Sequence, residues 1–317
     1  MDLFTHVLVS FLIGLGFNFP LRLETVLYIV IAGTISDGDV FLHPLSSKYK
    51  WASHHGGSHS IIFILLYSII VSFLYVQLSS KFGGYPLTSV QSFGFAFLPG
   101  IMHIVLDFLT SWSVPIFWPF SNKEYKFEIE RAVNPFTILF SFSSTVFMFA
   151  FWPSEFVIKT IVFFLFAYFV FRVMAKLYLI KKKRKEGYVT DAASTNLPYV
   201  WYVVHDKSDE NRIFFSWYKT NLFSERKYES GEFSLKKDRN IEFPIDSEEK
   251  AMQYSFNIDE VERYLSKFKY PVGRAIKENG HWKVCWSALE MSMSKFRVAV
   301  VVLLEQDGRY RTSRGLV

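Results

Sequence analysis

Residues 54–78 read HHGGSHSIIFILLYSIIVSFLYVQL. From Ile61 to Leu78 the run carries no charge. A helix that crosses a membrane needs about 20 mostly apolar residues, with a range of about 17–25. The run meets that length, so it is expected to be a spanning helix. Directly before it stand His54, His55 and His59, separated by Gly56 and Gly57. Imidazoles at the mouth of a span are costly to place there, and their default reading is functional.

Working outward, Phe156–Ile180 meets the same standard, and Phe93–Leu109 and Pro135–Trp152 are further candidates. Leu3–Phe17 and Leu23–Ile35 are shorter, with Pro20 breaking the chain between them. They form either a spanning hairpin or one that dips into the membrane. Half of the 317 residues are hydrophobic, and 35 are Phe. The long apolar runs are confined to residues 1–180, whereas residues 198–317 have the mixed composition of a soluble domain. The expected fold is therefore an α-helical multi-pass membrane bundle of about six helices, residues 1–180. A basic, polar linker, 181–197, and a small cytoplasmic α+β domain, 198–317, follow it. In that domain Tyr199–Val204, Arg212–Tyr218 and Phe296–Leu304 read as strands. Ile258–Phe268 reads as an amphipathic helix.

The net charge of +6 raises the question of nucleic acid. The basic run Lys181–Lys185 directly follows an apolar segment, which favours a topological role, and no nucleic-acid partner is expected. If all six segments cross, one side collects Lys48, Lys50, Lys123, Lys126, Arg131 and the 181–185 run. The other collects Arg22, Lys81 and Lys159. The first side is then cytoplasmic, with both termini, and the lipid bilayer is the expected partner. A single cysteine, Cys285, excludes an intrachain disulfide and a thiolate metal site. Asp2 and the lack of basic residues around it argue against a cleaved signal peptide.

The same topology brings polar residues to one membrane face. His6 opens the first helix, Asp37 and Asp39 close the second, and His54, His55 and His59 precede the third. His103 and Asp107 lie in the last turns of the fourth, four apart and so on one helix face. Imidazole with carboxylate suits Zn²⁺, and also Mn²⁺ or Fe²⁺. More than four such groups suggest a paired-metal site of the kind that hydrolyses phosphoesters. Plainer readings exist for each. Asp37 and Asp39 would serve in a helix-ending turn with Gly38, His6 as an interfacial histidine, and His59-Ser60 as a helix cap. His103 and Asp107 would serve as a structural hydrogen bond. His43, His205 and His281 have no such companions. Trp112, Trp118 and Phe120 fit an interfacial aromatic belt as well as a lip over a site.

DLFTHVLVS at 2–10, SDGDV at 36–40, HHGGSHSI at 54–61 and HIVLDFLTSWSVPIFWPFS at 103–121 resemble, in order, the motifs of the membrane-bound, metal-dependent hydrolases of the YdjM-like type. Members are described as LexA-regulated inner-membrane proteins in some bacteria. LPYVWYVV at 197–204 is similar to the strand that follows the membrane part in longer members. The resemblance implies a helical metal site related to zinc-dependent phospholipase C and nuclease folds. It implies that His6, Asp37, Asp39, His54, His59, His103 and Asp107 hold one to three divalent ions, zinc first. His55 stands where the family usually has Arg. Lys48, Lys50 or Lys123 would then supply the charge that grips a substrate phosphate, or His55 would act as an extra ligand or acid. Asp37, Asp107 and His55 are the expected proton-handling groups, and the substrate is a phosphoester, lipid or lipid-linked. The rival functions are a divalent-metal transporter, with ligands near mid-membrane, and a scaffold with a structural metal.

Overall fold

The computed structural model describes residues 1–317 except 21, 43–55, 152–153, 225–226, 238–240, 242–243, 267, 279, 290–297 and 317. The chain divides into two compact units, Met1–Phe171 and Arg172–Val317.

The first unit is helical. Its elements are α1 (Leu3–Gly16), α2 (Leu23–Thr34), α3 (Ile61–Phe82), α4 (Ser89–Phe108), α5 (Pro135–Phe151) and the first part of α6 (Glu155–Lys182). All six expected segments are helices. Among the described residues three are long and apolar enough to cross a membrane: α3, α4 and α6. α1 and α5 are apolar but shorter. Exposed Leu66, Ile70 and Phe73 line α3, an apolar surface that suits lipid rather than water.

The helix ends are set by side chains. Asp2 caps α1 by accepting from Thr5 N–H at 3.0 Å. Ser60 caps α3 by accepting from Phe63 N–H at 3.3 Å, so α3 starts two residues after His59. Thr88 and Gln91 form a reciprocal capping box on α4. α4 is the central element and packs against α1, α2 and α3. Its crossing with α1 and α2 is tight at Gly33, where a Cβ would collide with Ser10 Oγ and lie 3.0 Å from Pro99 Cβ. Only glycine lets the three backbones approach so closely. The buried core of this bundle includes Leu8, Phe11, Ile29, Ala32, Phe95 and Ala96.

The second unit holds two four-stranded antiparallel sheets. The first runs β1 (Val189–Ser194), β2 (Val200–Asp206), β3 (Arg212–Asn221), β4 (Lys227–Lys236) in order. The second runs β5 (Pro271–Glu278), β6 (His281–Ala288), β7 (Val298–Leu304), β8 (Tyr310–Leu316). α7 (Glu248–Phe256) and α8 (Asp259–Leu265) join them in chain order. One core contains Tyr202, Val204, Phe215 and Phe233 from the first sheet, Trp286, Val300 and Val302 from the second, and Val261 and Leu265 from α8. An α+β domain follows the helices, as expected.

Two boundaries differ from the expectation. The 181–197 stretch, expected as linker, contains β1, which pairs along its length with β2. Its polar Thr190 and Asp191 hide the strand from a hydropathy reading. The apolar run to Ile180 is one helix, yet its residues from Arg172 on belong to the second unit. Arg172 is fully buried, its guanidinium 4.4 Å from the centre of the Trp201 ring, and Lys176 pairs with Asp191 at 3.1 Å. Those two cations end the purely apolar part of α6.

Candidate metal centre

Four groups from separate elements meet in the first unit. Asp37 comes from the 3₁₀ segment Ile35–Leu42 that continues α2, His59 from the short 3₁₀ turn Gly57–His59, and His103 and Asp107 from the last turns of α4. One ligand atom from each lies within 4.8 Å of every other. His59 Nε2 is 3.2 Å from Asp107 Oδ2, 3.3 Å from His103 Nε2 and 3.6 Å from Asp37 Oδ1. His103 Nε2 is 3.3 Å from Asp107 Oδ2 and 3.5 Å from Asp37 Oδ1. An ion with donor bonds of about 2.0–2.2 Å holds tetrahedral donors about 3.3–3.6 Å apart. The observed edges match that spacing.

The hydrogen bonds behind the ligands fix their protonation. His103 Nδ1 is 2.8 Å from Gly33 O. A carbonyl only accepts, so Nδ1 carries the hydrogen and Nε2 presents its lone pair to the cluster. Gly33 thus serves twice, by close packing and by its carbonyl. His59 Nδ1 lies 3.3 Å from Asp39 Oδ2, and Ser58 Oγ donates to the same carboxylate at 2.6 Å. The carboxylate holds Nδ1–H and turns His59 Nε2 inward, the usual support for a metal-binding histidine. Two imidazole lone pairs and two carboxylates then face one another, an arrangement that repels unless a cation sits among them. The residues fit a divalent ion. The His/Asp cluster could hold a metal.

Asp37 and Asp39 therefore take opposite nitrogens of one ring. Both fall in one sequence motif; Asp37 belongs to the group of four, and Asp39 lies at the far nitrogen of His59. His6 joins by another route. Its ring stacks on His103 with centroids 3.8 Å apart, and its Nε2 is 3.3 Å from Asp107 Oδ1. Asp107 thus turns one oxygen to the group of four and the other to His6. The Met1 amino group also reaches Asp107 Oδ1.

This geometry converges with the family comparison. A family model described as YdjM inner membrane protein matches residues 1–179, more than half of the chain. The chain belongs to the YdjM inner membrane protein family. Helices α1 to α6 lie wholly or largely in the matched stretch, as does every residue of the cluster. The family and the apolar helices place it in a membrane. No curated protein and no solved structure matches the chain.

Of the seven expected ligands, the YdjM fold brings six into contact with one another: His6, Asp37, Asp39, His59, His103 and Asp107. His54 lies outside the described residues, as do His55, Lys48 and Lys50. Lys123 is described and exposed, its ammonium 5.4 Å from the centre of the Tyr125 ring. It makes no described contact with the cluster. Residues 109–134 wrap the same end of the bundle without regular structure. Ile116 O accepts from Ile61 N–H at 3.0 Å, and Trp118 lies on Gly57, where a Cβ would be 3.0 Å from the indole. Gly57 is thus needed for the Trp118 ring to lie against the turn that carries His59. Phe120 is exposed, whereas Trp112 is half-buried. Sequence reading had no access to Ser58, the Gly33 carbonyl or the Trp118–Gly57 contact. Each acts through the fold, and no spacing in the sequence marks them.

Proposed function

We propose that the protein is a membrane-bound, metal-dependent hydrolase acting on a phosphoester at the cytoplasmic face. The observation that carries this reading is the four-donor cluster, with histidine tautomers set by Gly33 and Asp39 so that every ligand atom points inward. Asp37, His59, His103 and Asp107 would hold the first ion, zinc by preference for such nitrogen and oxygen donors. A bound divalent ion would supply Lewis acidity toward the substrate oxygen and lower the pKa of a water ligand.

The protein's own groups would do the rest. The Asp37 side chain is 21% exposed, whereas those of His59, His103 and Asp107 are at most 1% exposed. Substrate and water therefore reach the cluster past Asp37, whose carboxylate is placed to take the proton of the attacking water. Asp39 and Ser58 keep His59 oriented through the reaction. His6 and Asp107 Oδ1, which the Met1 amino group also reaches, form a second donor edge where a further ion would bind. Trp118 shields the His59 turn from bulk water.

A transporter would set its ligands near the middle of helices. Here Asp37 and His59 lie outside α-helix altogether, and His103 and Asp107 close α4, which favours the enzyme. By the positive-inside rule, the basic 181–185 run would assign both termini to the cytoplasm. The test is turnover of chromogenic and lipid phosphoesters by purified protein, with and without chelator. Metal-dependent hydrolysis abolished by His103→Ala supports the reading. Divalent-ion flux in liposomes without hydrolysis would point to the transporter.

A further inference from the structure

A second polar cavity lies in the first sheet of the C-terminal unit, made wholly from residues of that unit. It measures about 410 Å³ and is lined by Lys185, His205, Ser216, Tyr218, Lys227 and Ser230, with Glu232 as its carboxylate. His205 and Ser216 are register partners on β2 and β3, and Tyr218 and Ser230 on β3 and β4, so these side chains share one face.

The wall is rich in donors. Lys185 N–H donates to Thr190 Oγ1 at 3.2 Å, and the same hydroxyl lies 3.2 Å from His205 Nδ1. The Lys185 ammonium lies 4.0 Å from the centre of the Tyr188 ring, with that of Lys207 5.6 Å away from the same ring. The Lys227 ammonium lies 4.5 Å from the Tyr218 ring centre. None of these three lysines forms a salt bridge among the described residues. Burial, with Lys185 and Lys227 alongside, pushes His205 below its usual pKa, as expected where positive potential accumulates.

We propose that this cavity binds a phosphoryl-type anion, with the Lys185 and Lys227 ammoniums and the Ser216 and Ser230 hydroxyls as donors. A tetrahedral oxyanion offers enough acceptors for that many donors, and charge-assisted hydrogen bonds are the strong ones. Glu232 sets a limit on total negative charge, so a monoester or free phosphate suits the site better than a polyphosphate. The same chemistry is offered by inorganic phosphate and by the headgroup of an anionic lipid.

The test uses the full chain carrying His103→Ala, so that the cluster in the helical unit does not compete for phosphate. One arm titrates inorganic phosphate in detergent by calorimetry. The other counts phosphatidic acid retained from phosphatidylcholine nanodiscs by native mass spectrometry. Saturable binding in at least one arm is expected. It should be weakened about tenfold or more by Lys185→Ala with Lys227→Ala, and left unchanged by the charge-matched pair Lys81→Ala with Lys159→Ala. The arm that responds identifies the source. Absence of binding in both arms, or binding equally strong without Lys185 and Lys227, overturns the proposal. The lysines are surface residues, and an unchanged melting temperature in the double variant keeps the comparison valid.

Discussion

Two buried polar clusters in this protein have opposite charge logic. In the C-terminal unit Asp191 meets Lys269 at 2.7 Å and Lys176 at 3.1 Å, and Tyr270 OH donates to it at 3.2 Å. One carboxylate has two ammoniums, so its charge is met from within the unit. In the helical unit the carboxylates of Asp37 and Asp107 converge with the inward lone pairs of His59 and His103, with Asp39 behind His59. Met1 contributes a single amino group, on Asp107. The first cluster is complete as it stands and ties β1 to its neighbours. The second could hold a cation from outside. Burial of charge alone does not mark a functional site. The direction in which the balance fails does.

The largest expected effect is at the second cluster. His103→Ala should remove bound metal and reduce metal-dependent hydrolysis by well over about a hundredfold, since it deletes a ligand where loss of a mere supporting partner costs about 10–100-fold. Metal content and turnover are the measurements. Asp191→Asn should leave metal untouched but destabilise the C-terminal unit by about 3–5 kcal/mol, because it breaks the buried ion pair with Lys176. Thermal unfolding of the full chain in detergent reads this. Asp39→Asn comes next, with metal affinity down about 10–100-fold and unfolding unchanged, because Asp39 orients His59 without joining the four. If it cost as much as His103→Ala, Asp39 would be a ligand after all. Smallest is Lys269→Met, at about 1 kcal/mol or less, because Lys269 is 40% exposed and screened and Lys176 remains.

Acid sharpens the contrast. Burial alone would push Asp191 up, but Lys176 and Lys269 outweigh it and hold the carboxyl well below the usual carboxylate range. A group depressed on folding contributes stability that is complete above the unfolded value, about 3.9, and is lost as pH falls through the folded value. The gap in melting temperature between wild type and Asp191→Asn should therefore be constant from pH 7 to about pH 5 and narrow only in stronger acid. A gap that closes near neutrality would mean that the ion pairs do not form.

The helical unit was largely legible because a membrane imposes one simple demand on sequence. All six apolar runs became helices, and His59, His103, Asp107 and Asp37 stood out as polar residues at their ends. The division of labour between Asp37 and Asp39 was not legible. Two carboxylates one residue apart look alike until a 3₁₀ turn sends them to opposite sides of one imidazole. β1 was missed because its buried residues include Asp191, which pairs with cations and breaks the apolar alternation. Arg172 and Lys176 were absorbed into an apolar run for the complementary reason, since their partners, the Trp201 ring and Asp191, lie beyond it in sequence. His205 was set aside as lacking companions. Lys185 and Lys227 reach it only through a turn at Gly187 and strand register.

The most direct measurement is the divalent-metal content of the purified chain, taken side by side for wild type, His59→Ala, His103→Ala and Asp191→Asn. Wild type and Asp191→Asn should carry the same ion in the same amount, and the two histidine variants should carry almost none while remaining folded. Equal metal in all four proteins, or none in the wild type after supply of zinc, manganese and iron, would contradict the account.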